Sequence, residues 1–166
     1  MAGESYGKIE EESPFKHRNS FLLAAVMSYG AIRPAEYKMT DNDGNLLYRI
    51  EKKGGFTWRG YVQHAEGDYV AYTEISKNKA TAQRIYRYVE KEGCRWSAEG
   101  DEMVAHFKVK DADGRIWAVI KNGAVPLEAA ERFSDIQGSI VEWKIREEIP
   151  HSLLAFVFLL QTRYQM

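Results

Sequence analysis

An all-β chain that ends in one apolar helix is predicted by three observations. From Tyr37 to Ile145 apolar and polar residues alternate with period two in run after run, the pattern of half-buried strands. The runs are divided by Asp/Asn/Gly clusters that carry hairpin-turn chemistry. At the end, Leu153 to Leu160 are eight consecutive residues without a polar side chain. A helix made of them has no solvent face and must be surrounded, which the strands upstream would do. Ten Tyr, seven Phe and four Trp add to the case for strands over a helical bundle.

Taken in order, residues 1–19 read as a polar, loosely held tail, with Glu4, Glu10, Glu11 and Glu12 against Lys8 for a net charge of −3 over the first 13 positions. The apolar run Phe21–Tyr29 follows Lys16, His17 and Arg18, but its core is too short for a signal peptide; a strand or a short buried helix is expected there. Gly30 and Pro34 mark a turn. Tyr37 and Met39 then alternate with Lys38 and Thr40, Asp41-Asn42-Asp43-Gly44-Asn45 turns the chain, and Leu46, Tyr48 and Ile50 share one face opposite Arg49 and Glu51. After Lys52-Lys53-Gly54-Gly55, the residues Phe56, Trp58 and Val62 face away from Thr57, Arg59, Tyr61 and Gln63. Ala65-Glu66-Gly67-Asp68 leads into Tyr69–Ile75.

Ala80–Glu92 fits two patterns. Ala82, Ile85 and Val89 share a helical face with Gly93 as a stop, while Ile85, Tyr86, Tyr88 and Val89 favour a strand, the reading preferred here. Met103, Ala105, Phe107 and Val109 alternate with His106, Lys108 and Lys110; Asp111-Ala112-Asp113-Gly114-Arg115 turns into Ile116–Ile120; Pro126–Phe133 has helical composition between strands and stays open. Val141, Trp143 and Ile145 alternate with Glu142, Lys144 and Arg146. The terminal helix is expected over residues 152–164, with Ser152 as N-cap behind Pro150. A membrane span needs about 20 apolar residues, so no transmembrane segment is expected. A repeat runs through the chain: Tyr37–Leu46 matches Phe107–Ile116 in character and register, and Ile50 and Ile120 keep the offset.

The x-Asp-x-Asp-Gly-x hairpins at Asp41–Gly44 and Asp111–Gly114, the basic outward strand positions and the apolar helix after Ile149-Pro150 resemble the tubby C-terminal-like superfamily, which includes LURP-one-related proteins and phospholipid scramblases. The resemblance covers roughly residues 36–164 and implies a closed antiparallel β-barrel of about 10–12 strands around a buried C-terminal helix, in one domain over residues 20–166. It also implies a lipid-related role, because tubby proteins bind phosphoinositide headgroups through basic residues on the barrel's outside. The palmitoylated cysteine cluster and long membrane segment of a scramblase are missing.

Catalytic and metal chemistry find little support. His17, His64, His106 and His151 are scattered without metal-ligand spacing, and His64-Ala65-Glu66-Gly67-Asp68 reads as a polar hairpin tip. In both Asp-x-Asp-Gly turns the glycine falls at position four, where a calcium loop needs it at six. Ser134-Asp135 and His151-Ser152 are the only suggestive neighbours for a nucleophile, and no G-x-S-x-G elbow, P-loop or G-x-G-x-x-G occurs. The expectation is a protein that is not an enzyme and uses no cofactor. Cys94, the only cysteine, suits a reducing compartment, and the expected location is the cytoplasm, peripheral to a membrane if lipid is the partner. A formal net charge of −1 gives no global attraction to nucleic acid.

The basic residues give the functional lead. Arg49, Lys52, Lys53 and Arg59 flank one hairpin, and Lys77, Lys79, Arg84 and Arg87 follow at the next corner. Together they would form an outer patch for anionic phospholipid headgroups or an acidic protein surface; interleaved Glu51, Glu74 and Glu90 would instead make them an ordinary solvated face. The alternative is a hollow barrel carrying a small apolar ligand, lined by Phe56, Trp58, Phe107 and Trp143. An oligomer joined through the C-terminal helix is a third reading.

Overall fold

The computed structural model describes residues 7–12, 34–54, 58–101, 106–122, 139–145 and 147–164. The expectations for Phe21–Tyr29, Phe56, Thr57, Met103, Ala105, Pro126–Phe133, Ser134-Asp135 and Arg146 lie outside the described residues. Among the described residues ten strands appear: β1 (Lys8–Glu11), β2 (Ala35–Thr40), β3 (Leu46–Lys52), β4 (Gly60–His64), β5 (Tyr69–Lys77), β6 (Arg84–Glu90), β7 (Gly93–Asp101), β8 (His106–Asp111), β9 (Ile116–Asn122) and β10 (Ser139–Trp143). Among the described residues they are followed by one helix, α1 (His151–Tyr164). The order of strands in the sheet is their order in the chain, and the pairings from β1 through β5 and from β7 through β10 are antiparallel. That order runs open from β1 to β10, and among the described residues no pairing joins these two ends. Of the stretch Ala80–Glu92, Arg84–Glu90 forms the strand β6, while Ala80–Gln83 before it and Lys91-Glu92 after it lie in turns. Two compact units divide the chain, one drawn from Met1–Glu74, Tyr88–Gly93 and Ile149–Met166, the other from Ile75–Arg87 and Cys94–Glu148.

In the first unit, Lys8–Glu11, within the stretch expected as a loose tail, form the strand β1. Lys8–Glu11 pairs with β2, Lys8 opposite Thr40 and Glu11 opposite Tyr37. Its residues have no apolar alternation to betray a strand; Glu12, just beyond it, is held by Lys38 at 2.6 Å and Arg49 at 2.7 Å. The core of this unit is built on α1. Leu153, Ala155, Phe156, Val157, Leu159 and Leu160 are buried, whereas Leu154, Phe158 and Gln161 form a half-buried stripe with exposed His151. The helix is therefore covered on most of its circumference and not on all of it. Phe158 meets the Tyr37 ring edge-on at 4.8 Å, and Trp58 donates its indole N–H to the Leu159 carbonyl at 3.2 Å. Gly60 permits this approach, since a Cβ there would stand 2.7 Å from a Leu159 methyl. Ser152 is not the N-cap. The Pro150 carbonyl accepts from Leu153 N–H (2.9 Å) and Leu154 N–H (3.2 Å), which places Pro150 at the cap and Ser152 inside the first turn.

The sequence repeat is a repeat of geometry. Asp41 Oδ1 accepts from Asp43 N–H (2.9 Å) and Asn45 N–H (2.8 Å), and Asp111 Oδ1 accepts from Asp113 N–H (3.0 Å) and Arg115 N–H (2.9 Å). Gly44 and Gly114 take φ of 86° and 83°, a region glycine enters at little steric cost. Each hairpin has its register shift just before the turn, at Met39/Thr40 and at Val109/Lys110. The second carboxylate oxygen distinguishes them, accepting from Asn45 Nδ2 (2.9 Å) in one and from Trp117 Nε1 (2.8 Å) in the other.

In the second unit the core holds Trp96, Ala98, Phe107, Val109, Ala118 and Ile120, with Phe107 edge-on to Tyr86 at 5.6 Å. Burial works to raise the Asp111 pKa, but the Trp117 indole, the N–H groups of Arg115 and Asp113 and the Arg115 charge outweigh it and hold the carboxyl below its ordinary value. A carboxyl whose folded pKa is depressed contributes stability above its unfolded pKa and loses that contribution as pH falls through the folded value. Asp111→Asn is thus expected to be less stable than the parent at pH 7, with the gap closing below about pH 4. Urea unfolding from pH 7 to pH 2 measures it, and a gap that does not change with pH would contradict this assignment.

Candidate anion-binding surface

The eight basic residues singled out in the sequence occupy different environments. In the first unit Arg49 is exposed on β3, but its guanidinium is engaged by Glu12 at 2.7 Å. Lys52 is 3% exposed and cannot belong to an outer patch. Strand parity explains this: Lys52 follows Ile50 by two residues and shares its buried face, while Arg49 lies on the other. Lys53 is exposed and ion-paired with Glu51, whose hydrogen bond holds the ammonium above the ordinary lysine range. Its Nζ lies 5.5 Å from the centroid of the Tyr61 ring. Arg59 is exposed, and its carbonyl accepts from Lys53 N–H at 2.9 Å, so the backbone brings these two together. An exposed ion pair adds only about 0–1 kcal/mol to stability, but a carboxylate partner must be displaced before the cation can meet another anion.

The second unit contains the β5–β6 turn, which differs in kind. Residues 75–89 carry Lys77, Lys79, Arg84 and Arg87 and no acidic residue. Lys77, Lys79 and Arg84 are exposed and Arg87 is half-buried. Asn78 builds the turn: its Oδ1 accepts from Ala80 N–H (2.9 Å) and Thr81 N–H (3.4 Å), its carbonyl accepts from Ala82 N–H (2.9 Å), and its own N–H donates to the Gln83 carbonyl (2.8 Å). Ala82 closes it at φ 56°, a left-handed conformation that costs an L-residue about 1 kcal/mol. Amides and carbonyls thus shape the turn. Among the described residues Lys77 and Lys79 have no ion-pair partner.

The aromatic positions considered as a cavity lining are committed elsewhere or open. Trp58 bonds to α1 and Phe107 packs on Tyr86, while Trp143 is half-exposed. A feature the alternation did not single out lies in the first unit, a pocket of about 350 Å³ lined by Tyr61, Tyr69, Val70, Tyr72, Val89 and Lys91. Three tyrosines within twelve residues were the available signal. Among the described residues no group of three His, Cys, Asp or Glu side chains is arranged to hold a metal ion, and no helix is long and apolar enough to cross a membrane. Compared with known proteins, the chain matches no family model, no curated protein and no solved structure.

Proposed function

We propose that the protein is a non-catalytic module that docks peripherally to anionic phospholipid headgroups through the β5–β6 turn. The observation that carries this reading is a hydrogen-bonded turn with exposed Lys77, Lys79 and Arg84 and no acidic residue from 75 to 89. Arg49, Lys52 and Lys53 drop out of the docking set because each is ion-paired or buried. The tubby-like kinship, closure of the sheet into a barrel and a cytoplasmic location belong to the same proposal; a sheet of ten strands in chain order followed by an apolar helix supports the first two.

A basic residue at an anionic membrane surface contributes about 1 kcal/mol, falling off within a Debye length. Lys77→Gln/Lys79→Gln/Arg84→Gln is therefore expected to weaken binding to phosphatidylserine vesicles by about a hundredfold at low salt. Co-sedimentation measures it, with phosphatidylcholine vesicles as the neutral control. Equal binding by parent and triple variant, or no preference for the anionic vesicles, would overturn the proposal.

A further inference from the structure

The tyrosine pocket uses other residues than the β5–β6 turn and stands independently of it. Tyr61 on β4 faces Tyr72 on β5 across the ladder, and the Tyr61 and Tyr69 rings meet edge-on at 5.8 Å. Tyr69 and Tyr72 are 58% and 44% exposed, two of the three large apolar side chains left open to solvent among the described residues. Exposed rings gathered around a concave space mark a binding surface more than a folding requirement. The pocket's volume, about 350 Å³, is at the small-molecule end of that range.

Charge decides the class of ligand. Glu90 is also part of the wall, but it shares a strand face with buried Tyr86 and Tyr88, and its charge, after burial, helps to push the Tyr48 and Tyr88 phenols up. Tyr88 is fully buried and Tyr48 lies on the same face as buried Ile50, so the Glu90 charge belongs to the core side of β6. The ammonium groups are on the pocket side. Lys53 sits over Tyr61 but is held by Glu51, while Lys91 lines the wall with no ion-pair partner among the described residues.

We infer that the Tyr61–Tyr69–Tyr72 pocket binds a small anionic amphiphile, its apolar body against the rings and its carboxylate on Lys91. Isothermal titration with decanoate tests this, against decyltrimethylammonium, which keeps the chain and reverses the head charge. Saturable one-to-one binding of decanoate is expected, with the cation about tenfold weaker or worse. Tyr72→Ala should lose about tenfold in decanoate affinity, as a truncated aromatic anchor does. Lys91→Glu, on an exposed turn where folding is not at stake, should reverse the preference between the two heads. No saturable decanoate binding, equal or tighter binding of the cation by the parent, or affinity unchanged in both variants would overturn the inference. Vesicle binding by the same variants separates the sites: neither Tyr72→Ala nor Lys91→Glu touches Lys77, Lys79 or Arg84, so failure here leaves the docking turn standing.

Discussion

Replacing Phe156 by alanine is expected to cost about 3–5 kcal/mol of stability, which for a domain of this length is a fall of roughly 6–20 °C in melting temperature. Phe156 is fully buried, and its ring lies 5.8 Å from that of Tyr88. Leu153 and Leu160, three residues before and four after, are equally buried on the same helix, so the space left by the ring has little freedom to collapse. One factor works the other way. The Tyr88 hydroxyl is buried without a hydrogen-bond partner among the described residues, and a water admitted beside it would satisfy that group and recover part of the loss. Phe158→Ala is the internal control, since Phe158 is half-buried on the open stripe of α1 and should lose less. Thermal unfolding followed by circular dichroism compares the two. If Phe158→Ala proved the more damaging, the assignment of the two faces of α1 would be wrong.

Trp96→Ala is expected to be as damaging in the second unit, again about 3–5 kcal/mol. Trp96 is 1% exposed and packs edge-on against Trp117 at 5.3 Å, with the Arg95 guanidinium 5.3 Å from its ring centroid. The aromatic pair alone is worth about 0.5–1.5 kcal/mol beyond the area it buries. Trp96 also buttresses the indole that donates to Asp111, so its loss reaches the β8–β9 turn. Trp96→Ala and Asp111→Asn should therefore be non-additive, with a coupling of about 0.5 kcal/mol or more. Urea unfolding of the two single variants and the double variant measures it, and strict additivity would mean that the Trp117 contact carries nothing from one site to the other.

Where residues alternate or turn chemistry is strong, local sequence was enough to place them. Asp41–Asn45 and Asp111–Arg115 fold as the same hydrogen-bonded turn because an aspartate at the first position and a glycine at the fourth specify it locally. The eight apolar residues of α1 had to be covered, and most of them are. β1 was illegible for the opposite reason: with Ile9 as its single apolar residue, no side-chain period records its pairing. Lys52 was misassigned because charge was read before parity, although two residues after Ile50 it falls on the buried face. The tyrosine pocket depends on the register shift at Val62/Gln63, which sets Tyr69 opposite Gln63 and not where strict alternation would put it. Basic residues were visible from composition, but which of them were already claimed by Glu12 and Glu51 became legible only with pairing across strands.

Hydrogen exchange with and without lipid tests the docking claim most directly, because it reports where the chain meets the membrane and not only that it does. On adding phosphatidylserine vesicles, amides between Ser76 and Arg84 should slow, while phosphatidylcholine vesicles leave them unchanged and 200 mM salt removes about half or more of the effect. Protection confined to other strands, or the same protection with neutral vesicles, would contradict the assignment of the β5–β6 turn as the anionic contact.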